Sequence, residues 1–388
     1  MKSFVFALLV ALASGAWVIQ PSTTSGIIVG VGAGGAGGAS IAGGTETTGG
    51  SYVEFSTNGA QWTKTNVQSG IFFDAAVNDD SSLKVVASML PVFVSQNGGA
   101  YEKLSTIAGD FMTASIFGDN IIGLVGGIVH DKVSTNGVAV SSDKGATWSV
   151  SAVPSSYSRY GSFIDKDTWF VSSGTWAMDT YNATASSALY LRPPADAVSA
   201  LDPKHLRLRY RNQQKAAHTR RSKGLEDEVN DNGWLASVSK TTDGGKSYTE
   251  VYRLPQGDMY YFNGISCTSA THCVVVGEGE TPTDPFLTVA FTTMDGGATW
   301  AQTLYSTELF SLMAVHMTSE TDGWLAGGQK SRGVMIGQFY TTTDGGMTWT
   351  LSQSLNDCYP LDMDFSDGKG VASCMSSSGQ SCSLATFA

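Results

Sequence analysis

Apolar and polar positions alternate over short runs in this chain. Leu312-Met313-Ala314-Val315-His316-Met317 and Leu361-Asp362-Met363-Asp364-Phe365 are the clearest. A period of two turns one side of a segment toward a core and the other away, so each run predicts a β-strand. A second, Gly/Ala-rich strand follows such runs, as in Asp322-Gly323-Trp324-Leu325-Ala326-Gly327-Gly328. Looser versions occur at Asp165–Val171, Cys273–Gly277 and Lys369–Ser373. Gly337–Thr341 and Thr348–Leu351 are strand-like as well, and a tight turn lies between them. The unit that emerges is four short strands with a turn between the third and fourth.

That turn is an internal repeat. Ser141, Asp143, Gly145 and Trp148 are spaced as Ser/Thr-x-Asp-x-Gly-x-x-aromatic. Thr241, Asp243, Gly245 and Tyr248 repeat the spacing, as do Thr293, Asp295, Gly297 and Trp300, and Thr342, Asp344, Gly346 and Trp349. Decayed copies stand at Ser56–Trp62 and Ser95–Gly99. An Asp side chain closes such a turn by accepting backbone N–H groups ahead of it, and Gly takes the positive φ. The aromatic residue packs back over the turn. The Asp residues are therefore expected to lock turns and not to catalyse or ligate metal. Four-stranded units recurring every 40–50 residues predict an all-β fold, a β-propeller of antiparallel blades. Six turns imply six blades, with seven possible, and pairing of N- and C-terminal strands (Ser51–Trp62 with Leu361–Ala388) is expected to close the ring.

These turns resemble the Asp-box, or BNR, repeats of sialidases, sortilin-type receptors and propellers related to the photosystem II assembly and stability factor. Asp322–Gly328 together with Tyr340–Trp349 is most similar to the last group, over roughly residues 51–388. Resemblance to that group implies an assembly-chaperone role, and the chain itself offers no pigment or cofactor ligand. Resemblance to sialidases implies an arginine triad, a Tyr–Glu nucleophile pair and an Asp acid. Arg159, Arg253 and Arg332 are the arginines outside one basic stretch described next, and the sialidase Arg-Ile-Pro motif is absent. Glu278, Glu280, Asp284 and Glu308 are the carboxylates weighed for the alternative, glycoside hydrolysis.

One interval breaks the rhythm. Asp143 and Asp243 are 100 residues apart, and nine of the chain's 23 basic residues fall between Arg192 and Lys223. Excising 192–238 restores the spacing, which predicts an insertion between strands two and three of one blade. It reads as a solvated loop, a translated intron, or a basic arm for an acidic partner. Asn232–Ala236 mimics a second strand and would supply a seventh blade if the insertion folds.

Composition narrows the class. Charged residues are 15% and hydrophobic ones 42%, which excludes global disorder. Net charge is -11, so nucleic acid and anionic membranes are poor partners. Met1-Lys2-Ser3, the apolar run Phe4–Ala13 and Ser14-Gly15-Ala16 are laid out as a secretory signal peptide over residues 1–16. Residues 17–50 read as a glycine-rich flexible leader, and no membrane span is expected in the mature chain. Export permits disulfides. Cys267–Cys273 is expected, with Cys374–Cys382 as the second bridge and Cys358 free or competing. Asn182-Ala183-Thr184 is a glycosylation sequon. The ligand, a protein or a carbohydrate, is expected on the loops joining strands two and three. Those loops carry His130, Asp131, Lys132, Glu280, Lys330 and Arg332. A secreted or organelle-lumenal monomer with no metal or cofactor is the reading that results.

Overall fold

The computed structural model describes residues 15–20, 26–35, 38–46, 50–67, 71–155, 157–174, 236–254, 259–280, 287–309, 311–331, 334–379 and 381–388. Every regular element among them is a β-strand, and all pairings are antiparallel. Blade 1 is Gly26–Gly34, Ala39–Glu46, Ser51–Ser56 and Thr63–Val67. Blade 4 is Ser158–Phe163, Trp169–Ser173, Ser237–Thr241 and Thr249–Arg253. Blade 5 is Met259–Cys267, Cys273–Glu280, Leu287–Thr293 and Ala301–Ser306. Blade 6 is Ser311–Met317, Gly323–Ser331, Val334–Thr342 and Thr350–Asn356. Blade 7 is Tyr359–Ser366, Lys369–Met375 and Cys382–Phe387, with Trp17–Ile19 outermost.

Blades 2 and 3 share one hydrogen-bonded sheet, whose elements are Ile71–Val77, Leu83–Gln96, Glu102–Phe117, Ile121–His130, Val133–Ser141 and Ser149–Ala152. Leu83–Gln96 doubles back on itself. Fourteen extended residues would span roughly 45 Å, yet the flanking Asn97 N–H donates to Ser82 O at 2.6 Å. Its two arms are the middle strands of blade 2, and the start of Glu102–Phe117 is the outer one. The remainder of Glu102–Phe117 opens blade 3. The described residues thus form seven blades, the possible count and not the preferred one, around a channel lined by each blade's first strand.

The extra blade comes from the supposed leader, not from the insertion. Gly26–Gly34 and Ala39–Glu46 are strands whose Ile27, Ile28, Val31, Ile41 and Ala42 are buried. Glycine serves close approach there. A Cβ on Gly30, Gly32 or Gly34 would fall 2.2, 2.2 and 2.3 Å from the main chain of Asp74, Ala75 and Val77 in the first strand of blade 2. Ring closure does join the two ends of the chain, but the N-terminal strand is Trp17–Ile19, paired with Ala385–Phe387. Gln353 of blade 6 grips it, accepting from Trp17 N–H at 2.8 Å and donating to Trp17 O at 2.7 Å.

The second disulfide also differs. Cys267 is bonded to Cys273, and Cys358 to Cys374, leaving Cys382 reduced and buried. Cys374 pairs with Ser383 and Met375 with Cys382. Directly opposed residues share a face and their neighbours take the other, so Cys374 and Cys382 point to opposite faces of blade 7. Residues 1–14, Asn182 and most of the insertion lie outside the described residues. On either side of residues 175–235, Ser173 and Ser237 are paired neighbours in strands two and three of blade 4.

Candidate functional site

Each repeated turn is a closed hydrogen-bond unit. Asp143 Oδ1 accepts from Thr147 N–H and from the Ser141 hydroxyl, both at 2.8 Å, and Oδ2 accepts the Thr147 hydroxyl at 2.6 Å. Ser141 Oγ in turn accepts Gly145 N–H at 2.8 Å. Asp243, Asp295 and Asp344 repeat the pattern. Donated hydrogen bonds, from the neighbouring hydroxyl first, hold the Asp143, Asp243 and Asp295 carboxyls down at about 2. The aromatic residue reaches the outer strand of the preceding blade. Trp148 Nε1 donates to Thr106 Oγ1 at 3.1 Å, Trp300 Nε1 to Val251 O at 3.1 Å and Trp349 Nε1 to Thr303 Oγ1 at 3.4 Å, while the Tyr248 hydroxyl meets Ser151 Oγ at 2.7 Å. The turns are rivets between blades, and their acids are fully engaged.

The opposite end of the ring carries the loops singled out for ligand binding. His130 ends the second strand of blade 3, and Asp131 and Lys132, at φ 49° and 65°, form the two-residue turn to Val133. His130 Nδ1 lies 3.7 Å from Asp131 Oδ2, and Asp131 and Lys132 are exposed. Glu280 ends the second strand of blade 5 and Lys330 stands one residue before the end of the second strand of blade 6, at the same end of the ring. Arg332 lies outside the described residues.

The channel wall holds side chains that were not singled out together. Each first strand has one edge toward the channel, and in blades 1, 3, 4, 5 and 6 a side chain of the preceding blade caps it. Asp362 Oδ2 accepts Val31 N–H at 2.9 Å, Asp364 Oδ2 accepts Ala33 N–H at 2.8 Å and Asp74 Oδ2 accepts Ala114 N–H at 2.8 Å. Thr113, Ser162 and Ser266 do the same for Gly161, Cys267 and Met317 at 3.2, 2.9 and 2.9 Å. The second oxygen of each acid takes the N–H of its own next residue, at 2.8, 2.9 and 2.7 Å for Asp362, Asp364 and Asp74. His316 Nδ1 sits 2.8 Å from Asp364 Oδ1.

Enclosure alters these acids. Burial, reinforced by the neighbouring Asp362, holds the Asp74 carboxyl well above the usual carboxylate range. Burial likewise pushes Asp362 up to about 7 and Glu278 up to about 8. Arg159, 9% exposed on the first strand of blade 4, opposes the shift at Glu278 and at Asp110, whose Oδ2 accepts the Tyr157 hydroxyl at 2.6 Å. Glu278 is one of the carboxylates the sequence offers for hydrolysis, and Asp362 and Asp364 stand in an alternating run. A signal for the cluster exists in such runs, an acid flanked by apolar residues on an inner strand. Among the described residues no cluster of His, Cys, Asp or Glu could hold a metal ion. The arginine triad fails as well: Arg253 is on the outermost strand of blade 4, where it pairs with Glu250, about 14 Å across the blade from Arg159 by strand spacing.

Residues 228–381 match the family model of the DUF6242 β-propeller domain. No curated protein matches the chain. YCF48 from Cyanidioschyzon merolae has a similar structure, with a TM-score of 0.55 at 12% identity, covering 96% of this chain and 98% of that one. The chain is a β-propeller. A PL25 ulvan lyase has a TM-score of 0.56 at 10% identity, over 96% and 94% of the two chains. YCF48 bound to D1 peptide gives 0.54 at 10% identity, over 97% of each. At such identities these likenesses bear on the fold.

Proposed function

We propose that this propeller is an exported, non-catalytic binding module of Asp-box type. Its ligand is a polypeptide segment held on the end of the ring that carries the strand two-to-three loops. One observation carries the reading: both oxygens of Asp74, Asp362 and Asp364 already accept main-chain N–H groups, so the channel acids serve the scaffold. The loops at the His130–Lys132 end are what remains for recognition. A similarly folded YCF48 is bound to a peptide, which favours a protein ligand over a carbohydrate. Two disulfides accord with an extracellular or lumenal site.

Glu278 favours a second reading. A carboxyl that keeps its proton near neutrality beside an arginine is suited to general acid catalysis on a glycan. Incubating the protein with a peptide array and with a panel of glycosides and uronans separates the two. The binding reading expects peptide capture that Asp131→Ala and Lys132→Ala weaken and Glu278→Gln leaves intact. Glycan cleavage that Glu278→Gln abolishes would replace it with the enzyme.

A further inference from the structure

Blade 7 differs from the other blades in that its outermost strand, Trp17–Ile19, comes from the opposite end of the chain. The bond before that strand, Ala16–Trp17, is where a sequence feature and a structural one coincide. In the sequence it follows Ser14-Gly15-Ala16, which places small side chains first and third before the bond, the positions an export peptidase reads. In the structure it divides an exposed residue, Ala16, from Trp17, which is buried and stacked on Phe339 of blade 6 at 4.6 Å.

The Trp17 nitrogen lies outside the ladder of its own sheet. Gln20 N–H donates to Leu384 O at 2.7 Å, and main-chain groups alternate in direction along an antiparallel pair. Val18 therefore also faces Cys382–Phe387, while Trp17 N–H and O face away. Gln353 takes both, accepting from the N–H at 2.8 Å and donating to the carbonyl at 2.7 Å. A chain end at Trp17 costs no ladder bond, and an ammonium there gives Gln353 Oε1 a charged donor, the stronger kind. Just upstream, a Cβ on Gly15 would fall 2.4 Å from Ala388 O and 2.5 Å from the Phe387 ring. Position 15 has no room for a side chain while the chain is uncut.

We propose that Ala16–Trp17 is a processing site whose hydrolysis releases Trp17 to close the ring. Water adds across the bond. Its oxygen goes to the Ala16 carbonyl carbon, which leaves as a carboxylate, and both its hydrogens end on the Trp17 nitrogen as an α-ammonium. The hydrolase is an export peptidase specific for small residues, so the site rests on the exported status proposed above, whatever the ligand. Cutting comes before closure because the tether is short. Ser14, Gly15 and Ala16 alone separate the apolar run Phe4–Ala13 from Trp17, a reach of roughly 10 Å. While that run is held in a membrane or by the peptidase, Trp17 is kept from its seat among Trp324, Phe339, Phe365 and Phe387.

Expressing the full chain in a secretory host, with intact mass and N-terminal sequencing of the exported protein, reads the site. Trp17 is expected as the first residue. Gly15→Leu changes the position between the two that the peptidase reads. It is expected to give the same mature mass and the same melting temperature, because the added side chain departs with the leader. Ala16→Leu blocks the bond. In that uncut chain, peptides from Tyr359–Ser366 are expected to exchange about tenfold faster than in the mature protein, while those from Leu287–Thr293 keep their rate. Where the uncut chain does not fold, the first two measurements decide. Full-length protein kept inside the cell would remove the export reading, and this site with it. With export intact, three results would overturn the proposal: a first residue other than Trp17, a Gly15→Leu product that melts lower, or an uncut Ala16→Leu chain as protected as the mature protein.

Discussion

Lys144 is the one side chain among the four complete turns that occupies a glycine position. It sits at φ 60°, where Gly244, Gly296 and Gly345 sit at 71°, 75° and 74°. A left-handed conformation crowds Cβ against the following carbonyl at a cost of about 1 kcal/mol. Lys144→Gly is therefore expected to stabilise the protein by up to about 1 kcal/mol, less the entropy glycine adds to the unfolded chain. A urea midpoint that fails to rise would show that the Lys144 side chain contributes contacts of its own. Gly30 presents the opposite case. A methyl group there has nowhere to go, because the neighbouring atom is main chain and cannot rotate aside. Gly30→Ala should abolish cooperative unfolding, whereas Gly50→Ala, whose nearest neighbour is the Glu46 carboxylate at 3.4 Å, should fold normally. Circular dichroism melts of the two variants make the comparison.

Turns and strands differ in how plainly they could be read. The Asp turns were legible because all their chemistry is local: Asp295 bonds residues within four positions of itself. The glycine-rich first strand was not, since Gly30 answers to Asp74, forty-four positions away, and its low side-chain mass reads as flexibility when partners are unseen. The Cys374–Cys382 pairing failed on parity, which depends on register with the adjoining strand. Asp362 was legible as a strand residue but not as part of a site, because Val31 is its partner at a separation of 331 residues. The turns are also expected to set the acid limit of the fold. Their carboxyls lie below the ordinary value, so they stabilise the ring above pH 4 or so and cease to as pH falls through about 2. An acid titration followed by tryptophan fluorescence should unfold the protein in that window. Asp295→Asn removes one titrating group, so it should shorten the acid limb while lowering stability at neutral pH. A limb unchanged in Asp295→Asn would place the acid sensitivity elsewhere.

At the scale of the whole ring, closure depends on three residues of strand from the far end of the chain. Trp17 is 2% exposed and stacks on Phe339 of blade 6 with centroids 4.6 Å apart, while touching Trp324, Phe365 and Phe387. It therefore joins blade 6 to blade 7 as well as completing blade 7. In a ring each blade supports the next, so loosening the last joint exposes two blade faces at once. Trp17→Ala should cost about 3–5 kcal/mol, the range for a large buried aromatic. Val18→Ala, on the same strand but 56% exposed, should cost little. Denaturant unfolding combined with hydrogen exchange distinguishes two outcomes. If the strand closes the ring, Trp17→Ala lowers the midpoint of the single global transition, and protection falls in blades 6 and 7 together. If it is a flap on an already closed ring, the midpoint stays where it was and only residues 15–20 lose protection. The grip of Gln353 on both the N–H and the carbonyl of Trp17 argues for the first outcome, because it ties the strand to the neighbouring blade and not merely to its own sheet.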